Sequence, residues 1–324
     1  MKKTRVAVVG VGVMGSYHAN IYASLPQTKL VAIVDPCLDK RVEMEIAFDI
    51  NSYQNHLDLL KNENIDAVSL ATPTSLHFDI AKDLLKAGKH LLIEKPIAST
   101  VSQAQELIEI SKNKDLVLQV GHITRFYKAI KLLKEKIKAP YLIEARRLSP
   151  NGRIVDVGVI LDLMIHDIDI ILGLIDSEID ELSVSGQFLK GNSLEDVASA
   201  HLEFKNGCIA NFLASRAASE VKRNLDIFEK EQTIHLDFSQ APYTELIIQR
   251  PITNNNGDSH LQTDSRKILE QNPLKEEISH FLARIRDNAE PIGTTDDDLR
   301  SLKLARRMIT LLEQKQNKKD NIKQ

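Results

Sequence analysis

The chain of 324 residues has no tryptophan, and aromatic residues make up only 5% of it. This composition disfavours the aromatic platforms on which proteins stack single-stranded nucleic acids. Neither sign of charge is in excess, because 42 Lys and Arg residues oppose 45 Asp and Glu residues for a formal net charge of −3. We therefore expect neither nucleic acid nor an anionic membrane as a partner.

Cysteine is scarce as well, with only Cys37 and Cys208 in the sequence. Two isolated thiols form neither a disulfide framework nor a pair at metal-ligand spacing, which favours a reducing, cytoplasmic location and no metal site. Long apolar runs are also missing, since the longest candidate, residues 157–175, is interrupted by aspartates and a histidine. A membrane span needs about 18 uninterrupted apolar residues, and the N-terminus does not resemble a signal peptide.

Hydrophobic residues make up 43% of the chain, enough for a sizeable core in two domains. From Thr4 to about Val120, short β-branched runs alternate with helical patterns. This alternation predicts an α/β domain with a doubly wound parallel sheet that is covered on both faces. The predicted strands are residues 5–9, 30–34, 67–71, 90–93 and 117–120.

Beyond about residue 140 the pattern is different, with several strand-like segments and one helix among them, predicted over residues 159–173, before helical patterns resume toward the C-terminus. Turn signals between consecutive strands predict an α+β domain with an open, mainly antiparallel sheet. We place the two domains at residues 1–123 and 124–324 and expect the C-terminal helices to pack back on the first. Thr295 and Asp298 predict a capping box at the start of the last helix.

A glycine-rich turn follows the first predicted strand. Gly10, Gly12 and Gly15, together with Val13 and Met14, form the pattern GxGxxG, and a helical pattern comes next. Between a strand and a helix, such glycines let backbone amides and the helix N-terminus approach a pyrophosphate. The alternative is a tight turn that binds nothing, which this context disfavours. The segment predicts a Rossmann dinucleotide-binding domain.

The second predicted strand ends at Asp35, twenty residues after Gly15. A carboxylate at this point accepts a hydrogen bond from the 2′-hydroxyl of an adenosine ribose and repels a 2′-phosphate. The sequence therefore predicts NAD, rather than NADP, as the cofactor.

Candidate cofactor-binding residues follow two further strands of the predicted parallel sheet. They are Thr72, Pro73 and His77 after the third strand, and Glu94 and Lys95 after the fourth. Ligands of open α/β sheets bind outside the carboxyl ends of the strands, so all five are candidates for binding the nicotinamide half of the cofactor. For Lys95, a surface ion pair with Glu94 is the alternative.

The helix predicted over residues 159–173 is apolar except for Asp162, His166, Asp167 and Asp169. At about 100° per residue, Asp162, His166 and Asp169 share one stripe, and Asp167 lies off it. Buried without partners, such groups would each cost several kcal/mol. Acid/base catalysis, a metal site and a structural network are the alternatives, and a metal site is disfavoured because a second histidine in register is absent.

Four motifs occur in order along the chain: GVGVMG, ATPTSLH, EKPIA and DVGVILDLMIHDID. Together they resemble the Gfo/Idh/MocA oxidoreductases, and the resemblance extends from Thr4 to the last helix. It implies a Rossmann domain and a C-terminal domain whose open sheet often mediates oligomers, here a homodimer or homotetramer. It also implies a catalytic trio, which carries over to Lys95, Asp162 and His166.

The trio suits hydride transfer from a sugar hydroxyl to NAD. An unperturbed histidine has a pKa of about 6.5, so His166 is suited to take the hydroxyl proton at neutral pH. Lys95 can polarise the same oxygen, and Asp162 can orient the base.

Further segments resemble one subgroup of the family, the bacterial UDP-N-acetylglucosamine 3-dehydrogenases. They are VGHITRF, which contains His122 and Arg125, RRLSP, which begins at Arg146 and Arg147, and DVGV before the predicted helix. This resemblance implies oxidation of the sugar 3-hydroxyl, with the ketone passed to a partner PLP aminotransferase. The substrate would contact His122, Asp162 and His166. Its pyrophosphate needs cations, for which Arg125, Arg146, Arg147 and Arg153 are candidates, although each could equally be a solvated or ion-paired residue.

Two other functions stay open. A dehydrogenase of a free polyol or sugar, such as inositol, would turn over its substrate without any nucleotide. A catalytically idle NAD-binding sensor would have no need of Lys95, Asp162 and His166 together.

Overall fold

The computed structural model describes residues 2–150, 156–189, 194–253 and 258–322. The chain divides into two compact units. Unit 1 comprises Met1–Ile123 and Pro273–Leu299, and unit 2 comprises Thr124–Asn272 and Arg300–Gln324.

Unit 1 is built on a six-stranded sheet in the order β3-β2-β1-β4-β5-β6, with every neighbouring pair parallel. The predicted doubly wound α/β fold is confirmed. In chain order its elements are β1 Thr4–Val9, α1 Val13–Ser24, β2 Thr28–Val34, α2 Leu38–Phe48, β3 Asn51–Tyr53, α3 His56–Asn62, β4 Ala67–Leu70, α4 His77–Lys86, β5 His90–Glu94, α5 Val101–Asn113 and β6 Leu118–Gly121.

The central strands are buried along their length, as a parallel sheet covered on both faces requires. All four residues of β4 are buried, and so are the last four of β1. Helix α8, Pro273–Asp287, comes from late in the sequence and completes this core. Its residues Leu274, Ile278 and Phe281 pack in one cluster with Val6 and Val8.

Unit 2 contains an eight-stranded sheet in the order β14-β13-β12-β11-β7-β10-β9-β8, antiparallel except for the pair β7 and β10. The mainly antiparallel sheet is therefore confirmed as well. The elements are α6 Lys128–Lys136, β7 Pro140–Pro150, α7 Ile165–Leu172, β8 Ile179–Gln187, β9 Val197–Phe204, β10 Ile209–Ser215, β11 Ala217–Glu229, β12 Gln232–Asp237, β13 Tyr243–Thr253 and β14 Ser259–Leu269.

The sequence did not predict two of these strands. The edge strand β3 has three residues, none of them buried, so it is too short to show a pattern. Strand β14 pairs with β13 over all eleven of its residues, yet nearly all of its side chains are exposed. Such a strand shows no apolar alternation, which is the signal on which a strand prediction depends.

The last helix, α9, covers Thr295–Ile322. Its capping box is one residue earlier than predicted: Thr294 Oγ1 accepts from the Asp297 amide at 3.2 Å, and the Asp297 carboxylate accepts from the Thr294 amide at 2.9 Å. Asp298 is buried instead. Among the helices that the structure describes, none is both long and apolar enough to cross a membrane.

Candidate active site

The glycine-rich turn joins β1 to α1 at the carboxyl edge of the parallel sheet. Gly10 has a φ of +84°, and a Cβ there would lie 2.7 Å from the Ala71 carbonyl oxygen. A Cβ on Gly15 would lie 1.7 Å from the Gly10 oxygen, so these two glycines permit close packing within the protein. Gly12 differs, because a Cβ there would meet no described atom within 4 Å.

The space beside Gly12 has the properties of a pyrophosphate site. Gly12 is the N-cap of α1, and no side chain there satisfies the first amides of the helix. Val13 and Met14 form the first turn, in which Val13 is half exposed. Nearby, Thr72 Oγ1 is buried and has no hydrogen-bond partner among the described residues. Free helix amides and an unsatisfied hydroxyl suit the phosphates and polar groups of a dinucleotide such as NAD.

Asp35 lies at the end of β2, where the sequence placed it, and is buried. Its Oδ2 accepts from the Val11 amide at 3.0 Å, and its Oδ1 accepts from the Cys37 amide at 2.9 Å. The carboxylate thus also ties the glycine-rich turn to the end of β2. Each of its oxygens has a further lone pair with which to accept a ribose hydroxyl.

His77 is buried at the start of α4 and joins the segments that follow two neighbouring strands. Its Nδ1 lies 2.8 Å from the Pro96 carbonyl oxygen, and its Nε2 lies 2.9 Å from the Thr72 carbonyl oxygen. Pro73 lies between Thr72 and this helix. The ring thus lies between the carbonyl groups of two segments that are 24 residues apart in the sequence. The imidazole therefore holds the local backbone, and a direct contact of His77 with the cofactor stays a prediction.

A series of hydrogen-bonded polar side chains ends on Glu94, and the sequence did not predict it. His18 Nε2 lies 3.2 Å from Glu94 Oε1, and His18 Nδ1 lies 3.0 Å from Ser69 Oγ, which in turn lies 2.8 Å from the Tyr22 hydroxyl. The chain therefore runs from the Tyr22 hydroxyl through Ser69 and the His18 ring to the carboxylate, and each of these buried polar groups has a partner in it. A histidine inside the apolar pattern of α1 was the one available signal.

Glu94 therefore carries a charge next to Lys95. Burial by itself raises the pKa of Glu94, but the hydrogen bond from His18 and the charges of His18, Lys95 and His77 outweigh burial and lower the pKa. Lys95 directly follows β5 and is partly buried, and the peptide bond to Pro96 is cis. The structure thus places Lys95 at the carboxyl edge of the sheet of unit 1.

Asp162 and His166 lie on one element of unit 2. Asp162 is buried within a π-helical turn, Ile160–Met164, and His166 lies in the first turn of α7. The uniform α-helix predicted over residues 159–173 is therefore wrong for its first part, and the assumed 100° per residue does not hold between the two side chains. Short π-helical segments within helices are frequent at functional sites.

The two other aspartates of this element form ion pairs. Arg147 donates to both oxygens of Asp167 at 2.9 and 2.6 Å, and Arg125 donates to both oxygens of Asp169 at 2.8 and 2.6 Å. Ser301 Oγ donates to Asp169 at 3.1 Å as well. For Asp167 and Asp169, the structure therefore favours the structural-network alternative.

The pair around Arg147 is deeply buried. Burial lowers the pKa of the Arg147 guanidinium, but the neighbouring carboxylates of Asp167 and, to a smaller extent, Asp162 outweigh burial and raise it. The same guanidinium thus contributes to the electrostatic environment of Asp162. A contact between Arg147 and a substrate pyrophosphate stays a prediction.

The side chains of Arg146 and Arg147 lie on opposite faces of β7. Successive residues of a strand point to opposite faces of the sheet. Arg147, like Ile143 and Ala145, lies on the buried face of β7, whereas Arg146 is half exposed, with Glu144 at 3.7 Å. Arg146 is consequently not on the face that carries Asp167.

Two remaining predicted residues have different outcomes. His122, at the end of the unit 1 sheet, is buried, and its Nε2 lies 3.7 Å from the buried Asp298 carboxylate. Arg153 lies outside the described residues. Unit 1 thus brings together the glycine-rich turn, Asp35, Thr72 and Lys95 at one sheet edge, and unit 2 presents Asp162 and His166 on one helix.

Comparison with known proteins places this architecture in a family. Residues 4–122 match the model of an oxidoreductase family with an NAD-binding Rossmann fold, and residues 142–236 match the GFO/IDH/MocA C-terminal domain. The UDP-N-acetylglucosamine 3-dehydrogenase of Acidithiobacillus ferrooxidans is 34% identical over 283 residues, which are 87% of this chain and 88% of that protein. The scyllo-inositol 2-dehydrogenase (NAD(+)) of Bacillus subtilis is 29% identical over 67% of this chain and 68% of its own.

A solved structure of UDP-N-acetylglucosamine 3-dehydrogenase from Acidithiobacillus ferrooxidans superposes with a TM-score of 0.85 at 31% identity, covering 97% of this chain and 99% of that one. The family resemblance, the oxidoreductase class and the NAD-binding Rossmann domain expected from the motifs are therefore confirmed. The chain belongs to the Gfo/Idh/MocA family of oxidoreductases.

Proposed function

We propose that the protein is an NAD-dependent dehydrogenase that oxidises the 3-hydroxyl of UDP-N-acetylglucosamine to the 3-keto sugar. The observation that carries this proposal is the 34% identity with a UDP-N-acetylglucosamine 3-dehydrogenase over 87% of the chain, across both family domains. Formation of NADH from NAD and UDP-N-acetylglucosamine is the experiment that tests it.

In this proposal, Lys95, Asp162 and His166 act on the same substrate hydroxyl. His166 takes the hydroxyl proton, and the ammonium group of Lys95 stabilises the negative charge that develops on the oxygen. Asp162 orients the imidazole and stabilises the positive charge that develops on it as the proton is taken. Asp162 is held in place by its position in the buried helical turn of unit 2.

The proposed cofactor site uses groups already described in unit 1. The turn at Gly12 and the first amides of α1 would hold the pyrophosphate, Asp35 the adenosine ribose, and the Thr72 hydroxyl a polar group of the dinucleotide. NAD, when bound, supplies the acceptor for the hydride that leaves the sugar carbon.

Arg125 and Arg147 are the two candidate cations that we retain for the substrate pyrophosphate. Each guanidinium forms a bidentate pair with an aspartate of the helical element. The two side chains are almost equally exposed, at 11% for Arg125 and 9% for Arg147, whereas Arg146 lies on the other face of β7.

Oxidation of an inositol is the second candidate function. It is supported by relatives such as the scyllo-inositol 2-dehydrogenase of Bacillus subtilis and the myo-inositol 2-dehydrogenase of Thermotoga maritima, which is 24% identical over 97% of this chain. The two candidates share the cofactor and the catalytic trio, and they differ in whether the substrate needs a nucleotide.

Three features of the cellular role stay predictions of the same proposal. A 3-keto sugar is the substrate that a PLP aminotransferase needs to install an amine, so we expect such an enzyme to consume the product. We also expect a homodimer or homotetramer formed through the open sheet of unit 2. A cytoplasmic location agrees with the two free cysteines.

Two glycine variants separate cofactor binding from folding. Gly12→Ala is expected to fold normally, because its φ of −68° suits alanine and its Cβ would meet no described atom, but to bind NAD more weakly because the Cβ occupies the phosphate space. Gly15→Ala is expected to lower the melting temperature, because its Cβ would overlap the Gly10 carbonyl. Thermal unfolding and calorimetric NAD titration check both results. Unchanged NAD affinity in Gly12→Ala would contradict the assignment of the site.

The Asp35 carboxylate is expected to make NAD bind more tightly than NADP. Asp35→Ser should narrow the difference by a few kcal/mol at most, the scale of a charged hydrogen bond. Because Asp35 also accepts hydrogen bonds from the Val11 and Cys37 amides, the variant should bind both NAD and NADP somewhat more weakly. The informative quantity is therefore the ratio of the two dissociation constants, and tighter binding of NADP by the unaltered protein would overturn the prediction.

A further inference from the structure

The helical element that carries Asp162 and His166 begins against a single buried residue from a distant part of the sequence. The Val159 amide donates to the Glu195 carbonyl oxygen at 3.0 Å. The next amide, that of Ile160, donates to the Glu195 carboxylate at 2.9 Å. The first amides of a helix have no partner within it, so Glu195 satisfies two of them through its backbone and its side chain.

Gly158 makes this close approach possible. A Cβ on Gly158 would lie 2.0 to 2.2 Å from three atoms of the Glu195 carboxyl group. The φ of Gly158 is not in the left-handed region, so an alanine could adopt its backbone conformation. Glycine is therefore required here by the volume that the carboxylate fills, and Gly158 and Glu195 form one structural unit.

A buried guanidinium holds the same two segments together. Arg216 Nη2 donates to the Val157 carbonyl oxygen at 2.7 Å and to the Glu195 carbonyl oxygen at 3.2 Å. Its Nε lies 3.4 Å from the Asp196 carboxylate. Arg216 and Asp196 are both almost completely buried. Together with Glu195, Arg216 therefore fixes the backbone at the start of the helical element.

We propose that Glu195 is a positioning residue for the dehydrogenase reaction: by binding the first two amides of the element, it fixes the π-helical turn and hence the placement of Asp162 and His166. This inference rests on the proposed function, since it assigns Glu195 to the same site. Catalytic groups must be held close to their productive geometry, and a displacement of about 1 Å can reduce the rate 10²-fold.

The carboxylate acts here as a hydrogen-bond acceptor. Burial raises the pKa of Glu195, and the Ile160 amide and the positive charges of Arg216 and Arg306 oppose that rise. A glutamine has the same shape and keeps an acceptor oxygen for the Ile160 amide. Glutamine should therefore preserve the position of the helix, whereas alanine should release it.

The test compares Glu195→Ala with Glu195→Gln in the full-length enzyme. Glu195→Ala is expected to lower kcat by about 10- to 100-fold, with little change in the dissociation constant of NAD, because the cofactor residues lie in unit 1. Glu195→Gln is expected to restore most of the rate. Equal losses in the two variants would contradict the acceptor role.

Glu270 offers a matched control in the same unit. It is also a buried glutamate, and its two oxygens accept from the Lys128 and Ala129 amides at 2.7 and 3.1 Å at the start of α6. Glu270→Ala should reduce thermal stability while leaving kcat near the wild-type value. If it lowered kcat as strongly as Glu195→Ala, the effect of Glu195 would be one of general stability and the proposal would fail.

The pairing with Gly158 supplies a second test. Gly158→Ala alone should reduce kcat, because its Cβ displaces the carboxylate. In the Glu195→Ala background that carboxylate is gone, so adding Gly158→Ala should cause little further loss. Fully multiplicative effects of the two substitutions would show that they act independently and would contradict the proposed unit.

Amide hydrogen exchange provides a result that does not depend on knowing the substrate. Peptides covering residues 159–166 should exchange faster in Glu195→Ala than in the wild type, and should be unchanged in Glu195→Gln and Glu270→Ala. Unchanged exchange in Glu195→Ala would overturn the inference. Absence of turnover by the wild type on any tested sugar or polyol would instead count against the proposed function.

Discussion

Replacing His166 with alanine is expected to lower turnover by about 10²- to 10⁴-fold, the usual contribution of a positioned general base. Lys95→Ala should cause a comparable loss, because the developing charge on the substrate oxygen then lacks its ammonium partner. Neither side chain is assigned to the cofactor phosphates, so the dissociation constant of NAD should change little. Steady-state kinetics and calorimetric NAD titration measure the two quantities separately.

Matched controls for these substitutions are available in the same units. His201 is a partly exposed histidine of β9 that contacts Asn211 and Glu203, and Lys61 is an exposed lysine of α3. His201→Ala and Lys61→Ala should keep wild-type turnover. Near-normal kcat in His166→Ala or Lys95→Ala would show that the corresponding residue is not part of the catalytic machinery.

Arg147→Met is expected to destabilise the protein by about 3–5 kcal/mol, because it leaves the Asp167 carboxylate buried without its counter-charge. The double variant Arg147→Met, Asp167→Leu should recover most of that loss, since replacing both members of a buried ion pair with apolar residues is often neutral. Denaturant unfolding of the wild type, the single variant and the double variant measures the recovery.

An exposed pair provides the control for this experiment. Arg266 and Asp264 lie at 3.1 Å on β14, and both side chains are substantially exposed. Arg266→Met should cause no measurable change in stability, because surface ion pairs contribute little. If Arg147→Met instead kept its stability and had a raised KM for a nucleotide sugar, the result would support the predicted contact between Arg147 and the substrate pyrophosphate.

The architecture of unit 1 could be predicted because its signals are local. The strands of a covered parallel sheet are continuous apolar runs, and the glycine-rich turn follows β1 at once. Asp35, Lys95 and the pair Asp162 and His166 could be selected for the same reason: each follows a strand or lies in an otherwise apolar helix.

The parts that could not be predicted depend on partners distant in the sequence. The Glu195 carboxylate binds the amide of Ile160, 35 positions earlier, and the partner of His18 lies 76 residues away, at Glu94. The sequence around either residue does not identify its partner. Likewise, Arg146 and Arg147 are adjacent in sequence and point to opposite faces of one strand, a distinction that requires knowing which face of the sheet is covered.

The most direct test of the account is NADH formation by the unaltered protein with NAD and UDP-N-acetylglucosamine, with an aminotransferase present to remove the ketone. Free N-acetylglucosamine, myo-inositol and scyllo-inositol serve as the comparison substrates. The account predicts NADH formation with the UDP sugar and little with the other three. Turnover of an inositol without any reaction of UDP-N-acetylglucosamine would contradict it and would identify the protein as a polyol dehydrogenase.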